Sequence, residues 1–107
     1  GDNVSAECVV YVKPSASKIT KLKAGRKSGK YRYVNVKYKG VKDASGYKIY
    51  YATSSKGKYK LLYTTSSTSV DFYLKRKKTY YFKIRAYKYT WDKDVYSNYS
   101  GVKSIKL

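Results

Sequence analysis

The sequence predicts an all-β fold, a seven-stranded antiparallel β-sandwich, on three observations. Apolar residues alternate with polar ones at a period of two, turn-forming clusters separate the alternating runs, and no stretch offers a helical period with caps. At 107 residues the chain suits one such domain, with enough length to bury a core unaided.

The alternation is clearest in three runs. Val34, Val36 and Tyr38 alternate with Asn35, Lys37 and Lys39. Tyr47, Ile49 and Tyr51 alternate with Lys48 and Tyr50, and Tyr80, Phe82, Ile84 and Ala86 alternate with Tyr81, Lys83, Arg85 and Tyr87. β-Branched and aromatic residues on one register, with Lys, Arg or Tyr on the other, describe half-buried antiparallel strands. Turn signals stand at Ala24-Gly25, Ser28-Gly29, Asp43-Ala44-Ser45-Gly46, Ser54-Ser55-Lys56-Gly57 and Trp91-Asp92-Lys93-Asp94. Strands are therefore expected near 18–24, 31–39, 46–52, 58–64, 68–73, 80–88 and 99–106. Residues 1–12 read as an amino-terminal tail or an extra edge strand through Val9–Val12, and 13–107 as the domain.

Composition sets the next bounds. Lys and Arg total 25 against 6 Asp and Glu, a net charge of +19. Such a charge repels itself in the compact state and attracts polyanions, whether nucleic acid, anionic membrane or acidic wall polymer, without choosing among them. High charge alone would suggest disorder, but 16 tyrosines supply large apolar area with polar tips and argue for a packed domain. No apolar run reaches the length of a membrane span. Cys8 has no second cysteine to pair with inside the chain, which argues against a disulfide-rich scaffold and fits the cytosol or a Gram-positive exterior.

Specific residues then sharpen the pattern. Leu74 precedes Tyr80 across Lys75-Arg76-Lys77-Lys78-Thr79, and Tyr80 opens the run Tyr81-Phe82-Lys83-Ile84-Arg85-Ala86-Tyr87. Ala44-Ser45-Gly46-Tyr47-Lys48-Ile49-Tyr50-Tyr51 reads as a turn and third strand, and Tyr96-Ser97-Asn98-Tyr99-Ser100 as entry to the last strand. Lys13-Pro14-Ser15-Ala16-Ser17-Lys18-Ile19 reads as a linker and first strand. On these residues the chain, over 13–107, resembles the fibronectin type III domain, an immunoglobulin-like sandwich, in the Lys/Tyr-rich form of Gram-positive surface proteins.

The resemblance implies that Tyr80 buries its ring and ties its hydroxyl to upstream backbone, a tyrosine corner, with Leu74 and Tyr38 as structural partners. Two positions depart from the family. Tyr38 stands where the second strand usually carries tryptophan, and Arg76-Lys77 replaces the usual Pro-Gly, a loop change expected to cost only local stiffness. The resemblance also implies a non-catalytic extracellular module of a cell-surface or secreted protein, acting as spacer or adhesive domain, monomeric or weakly dimeric. No Arg-Gly-Asp tripeptide occurs, so the integrin contact of some animal members is not carried over.

Enzymatic chemistry finds no support in the residues. Histidine is absent, which removes the usual general base and the commonest metal ligand. Cys8 lacks a histidine partner, and the acids Asp2, Glu7, Asp43, Asp71, Asp92 and Asp94 offer one close pair, Asp92 and Asp94, around Lys93 in a turn. No phosphate loop, zinc spacing or nucleophile elbow is present, and no cofactor is expected.

What remains is surface. Lys48, Tyr50, Tyr81, Lys83, Arg85 and Tyr87 should share one outer sheet face as a ladder of aromatic rings and cations. Such a ladder can stack on sugar rings or bases and hold phosphates; equally, it can stabilise the sheet through cross-strand pairs. Trp91 at a loop tip is either a further contact or folds back on Tyr89 or Tyr96. Cell-wall polymer, glycan or protein are the candidate partners. Nucleic acid is disfavoured because the basic residues are spread throughout and no RNA- or DNA-binding signature occurs.

Overall fold

The computed structural model describes residues 13–107. Among these residues eight strands succeed one another without a helix, and every pairing is antiparallel. They are β1 (Ile19–Ser28), β2 (Tyr31–Tyr38), β3 (Gly46–Ala52), β4 (Lys60–Thr65), β5 (Ser69–Lys75), β6 (Thr79–Tyr89), β7 (Asp94–Tyr96) and β8 (Lys103–Lys106). One sheet has the order β1-β2-β5, and the other runs β4-β3-β6, with both β7 and β8 paired to β6. The Val9–Val12 segment and Cys8 lie outside the described residues.

The alternation in the sequence becomes burial. Val34, Val36 and Tyr38 of β2, Tyr47 and Ile49 of β3, and Tyr80, Phe82, Ile84 and Ala86 of β6 are buried and belong to one hydrophobic cluster. Both sheets thus contribute to a single core, as paired apolar registers require. Ile49, Phe82 and Ile84 have no exposed surface, so truncating any of them to Ala would cost about 2–5 kcal/mol.

Tyr38 fills the place of the expected tryptophan. It is 3% exposed, its ring lies 5.0 Å from that of Tyr47, and its hydroxyl donates to the Ser67 carbonyl at 2.5 Å. Burial pushes its phenol well above the ordinary range, the neighbouring Tyr47 adding to the effect. Tyr80 is buried too, and its hydroxyl donates to the Lys75 carbonyl at 2.9 Å, closing the corner after β5, with Leu74 against the core.

Four expectations are corrected. The strand count among the described residues is eight, because the last strand is broken: β7 arises inside the expected turn region, and β8 begins at Lys103 and not at 99. Ala24-Gly25 is not a turn. It lies within β1 at a register shift, where the bulge lets the Tyr33 ring of β2 lie over Gly25; an added Cβ there would sit 2.6 Å from Tyr33 Cδ2. The β6–β7 turn is tighter than expected, since Asp94 already pairs with Tyr89. Finally, replacing Pro-Gly by Arg76-Lys77 does more than alter stiffness: Lys77 takes φ +67°, a left-handed conformation that glycine adopts without strain.

Candidate functional site

The outer face of the β3–β6 sheet is set by register. Lys48 lies opposite Arg85, Tyr50 opposite Lys83, Gly46 opposite Tyr87 and Ala52 opposite Tyr81. The ladder read from alternation is therefore present as a spatial row. The structure adds tyrosines from flanking segments, and these determine what the row can do.

Arg85 is the centre. Its guanidinium carbon lies 3.8 Å from the ring centroid of Tyr96, 4.8 Å from Tyr99 and 5.4 Å from Tyr50. Its Nε and Nη2 donate to the Tyr50 hydroxyl at 3.2 and 3.0 Å. Lys83 sits between Tyr99 and Tyr59, with Nζ 3.9 and 4.4 Å from their centroids. Lys48 Nζ lies 5.2 Å from the ring of Tyr87, which in turn meets Tyr96 at 6.4 Å. Tyr50 and Tyr99 complete the row edge to face at 5.4 Å. Each cation is thus held by rings of the same chain, and such contacts contribute about 0.5–2 kcal/mol according to their desolvation. Burial raises the Tyr99 phenol above its ordinary range, an effect that Arg85 opposes.

Tyr96 and Tyr99 reach this position through a device that the alternation did not reveal. Between β7 and β8 the chain follows β6 without forming a strand. The Ser97 N–H donates to the Ala86 carbonyl at 2.9 Å, and the Ala86 N–H donates to Ser97 Oγ at 2.9 Å. Ser100 repeats the pattern on Ile84, giving its N–H to the carbonyl at 2.7 Å and accepting the Ile84 N–H on Oγ at 3.0 Å. A serine hydroxyl thus replaces a strand carbonyl twice. Both serines are buried, and the tyrosine preceding each is placed on the outer face above a cation. The signal available in the sequence was the repeated Tyr-Ser pair, at Tyr96-Ser97 and Tyr99-Ser100.

The remaining predicted residues lie apart from the stack. Tyr81 is half-buried one step along, opposite Ala52 and Ser104. Trp91 stands at the β6–β7 tip and is 97% exposed, so it folds back on neither Tyr89 nor Tyr96. The turn beneath it is closed by the Thr90 N–H donating to the Lys93 carbonyl at 3.0 Å, and by the Lys93 N–H donating to Thr90 Oγ1 at 3.1 Å. Tyr89 beside it is 68% exposed. Among the described residues, no three His, Cys, Asp or Glu side chains gather closely enough to hold a metal ion. No helix of those residues is long and apolar enough to cross a membrane.

No protein-family model matches the chain, and no curated protein sequence matches it. Solved structures do. A β-1,2-glucanase from Parabacteroides distasonis superposes with a TM-score of 0.72 at 21% identity, covering 88% of this chain and 13% of that one. An Fn3-like protein from Clostridium thermocellum gives 0.62 at 20% identity, covering 90% of this chain and 98% of the other. The Spr0440 glycoside hydrolase domain, Endo-D, from Streptococcus pneumoniae R6 gives 0.59 at 23% identity, covering 88% and 14%. The chain thus spans nearly all of the Fn3-like protein but a small part of the two glycosidases. These likenesses show an Fn3-like fold.

Proposed function

We propose that the chain is a non-catalytic Fn3-like β-sandwich module of an exported or cell-surface protein, acting as a spacer with adhesive contacts at one end. The observation that carries this reading is the saturation of the β3–β6 outer face. Lys48, Lys83 and Arg85 are each engaged by tyrosines of the chain itself, so the row acts as a brace that locks the broken last strand onto β6. A module stiffened in this way suits the separation of functional domains. The likeness to short portions of two glycosidases, and to nearly all of the solved chain of an Fn3-like protein, supports an accessory role.

A second reading is favoured by Trp91. A tryptophan left almost wholly in water on a closed turn, beside the exposed Tyr89, is the kind of side chain that anchors a protein or glycan contact. The two readings are compatible, since a spacer can carry a contact at its tip.

A binding screen tests both. The domain is titrated with neutral glycan, wall teichoic acid, heparin and single-stranded DNA at low and near-physiological salt. The spacer reading expects binding through the stacked face to be absent at physiological salt. The contact reading expects any surviving ligand to be lost on Trp91→Ala. A ligand that survives salt and is lost on Tyr50→Ala or Lys83→Ala, with folding intact, would assign the stacked face to recognition and overturn the spacer reading.

A further inference from the structure

The opposite sheet carries a second constellation. On the outer face of β2 and β5, Tyr33 lies directly across from Tyr73 and Asn35 directly across from Asp71. The two tyrosine rings meet edge to face at 5.9 Å. The Tyr33 hydroxyl donates to Asp71 Oδ1 at 2.7 Å, and Asn35 Nδ2 donates to the same oxygen at 2.6 Å. Among the described residues, both donors to Asp71 meet Oδ1 and none meets Oδ2. Gly25 in the β1 bulge is what admits the Tyr33 ring, so the backbone of β1 is shaped around this group.

These residues line an open cleft of about 770 Å³, and Lys21, Lys23, Arg26 and Lys37 line it as well. The cleft therefore combines three chemistries. Tyr33 and Tyr73 present aromatic surface, with Tyr73 58% exposed. Asp71 is an acceptor fixed in orientation by two donors. Four cations around one carboxylate leave a field that attracts anions. The Tyr33 bond holds Asp71 below the ordinary carboxylate range and Tyr33 above the ordinary phenol range, so the arrangement keeps its charge through neutral pH.

We propose that this cleft binds an acidic oligosaccharide. A sugar ring lies on the exposed ring of Tyr73, which Tyr33 braces edge to face; a ring hydroxyl donates to Asp71, and the anionic group of the sugar sits among Lys21, Lys23 and Lys37. The carboxylate decides between a sugar and a nucleic acid. Tyrosines and lysines suit either, but Asp71 can only accept. It pairs with a hydroxyl on the sugar edge while the anionic group of the sugar lies away from it among the lysines; a phosphodiester has no proton to give it. The site goes beyond the spacer reading and shares no residue with the stacked face or with Trp91.

The test is a titration of the isotope-labelled chain followed by amide chemical shifts, at an ionic strength where the screening length is about 8 Å. The probes are a hexagalacturonate, a heparin hexasaccharide, a neutral maltohexaose and a six-phosphate oligo-dT. Saturable shifts confined to Tyr33, Asn35, Asp71, Tyr73 and the adjoining β1 residues are expected with an acidic sugar. The two acidic probes distinguish carboxylate from sulfate as the preferred group.

Tyr73→Ala, at a largely exposed position, should weaken that binding about tenfold while leaving thermal stability nearly unchanged. Asp71→Asn is the sharper variant. It removes a negative charge, so attraction by charge alone predicts tighter binding, whereas loss of a charged acceptor predicts binding about threefold weaker or worse. Trp91→Ala should leave the titration unchanged. Tighter binding by Asp71→Asn, equal affinity for oligo-dT, or shifts spread over the whole surface would each overturn the proposal.

Discussion

Ser100→Ala removes one oxygen from a site that is 7% exposed. In the wild type that oxygen accepts the Ile84 N–H at 3.0 Å and its own proton goes to the Gly101 carbonyl at 3.0 Å. Ile84 has no exposed surface, so water has poor access to its amide once the hydroxyl is gone. Leaving one buried N–H without a partner costs about 1–3 kcal/mol. For a domain of this size, each 1 kcal/mol lowers Tm by about 4–8 °C, so the variant should melt roughly 5–20 °C below wild type. Urea unfolding should show a lower midpoint at constant slope, because the surface exposed on unfolding is unchanged. Hydrogen exchange gives the local reading: the Ile84 amide should lose protection before its β6 neighbours. Ser104→Ala, on the exposed register of β8, is the control and should shift stability by less than about 0.5 kcal/mol. If Ser100→Ala matches that control, the hydroxyl is not substituting for a strand carbonyl, and the account of the broken strand fails.

Three further outcomes follow from the same structure. Lys77→Gly should stabilise the domain by about 0.5–1 kcal/mol, because relief of the left-handed φ of +67° outweighs the added freedom of the unfolded chain; a lower urea midpoint would contradict this. Tyr80→Phe should cost about 1 kcal/mol in thermal unfolding by deleting the 2.9 Å bond to Lys75, and an unchanged Tm would remove the corner from the list of stabilising contacts. Tyr38, Tyr80 and Tyr99 all have phenols raised above the ordinary value of 10.0, chiefly by burial. Above that pH the unfolded chain releases protons that the folded chain retains, so stability should be level below about pH 10 and fall beyond it. Urea midpoints from pH 8 to 11.5 measure the fall, which should be shallower in Tyr38→Phe; stability that rises above pH 10 would refute the assignment.

Much of this fold is legible in the sequence because burial in a half-solvated sheet repeats every second residue. The runs around Val34–Tyr38, Tyr47–Tyr51 and Tyr80–Ala86 carried the right register, and with it the outer row from Lys48 to Tyr87. The corner was legible for a different reason: a Leu and a Tyr at fixed spacing resemble a family pattern. The broken last strand was not legible. Alternation assumes that each inward position is apolar, whereas Ser97 and Ser100 turn inward to bond backbone, and three residues from one to the other span only two on β6. Gly25 misled for a related reason, since a glycine that admits a neighbouring ring looks the same in sequence as one that makes a turn. The cleft around Asp71 escaped because its four members come in two pairs, Tyr33 with Asn35 and Asp71 with Tyr73, joined only by the β2–β5 register.

The central claim is that the tyrosine–cation row on the β3–β6 sheet is a brace and not a receptor, and Arg85→Met tests it most directly. Methionine keeps an unbranched apolar side chain but loses the charge, the contacts with Tyr50, Tyr96 and Tyr99, and both bonds to the Tyr50 hydroxyl. Thermal unfolding and the ligand screen are run on the same sample. The account predicts a loss of about 2 kcal/mol in stability, with every binding curve at physiological salt unchanged. An unaltered Tm together with a lost ligand would contradict it and make the row a recognition surface.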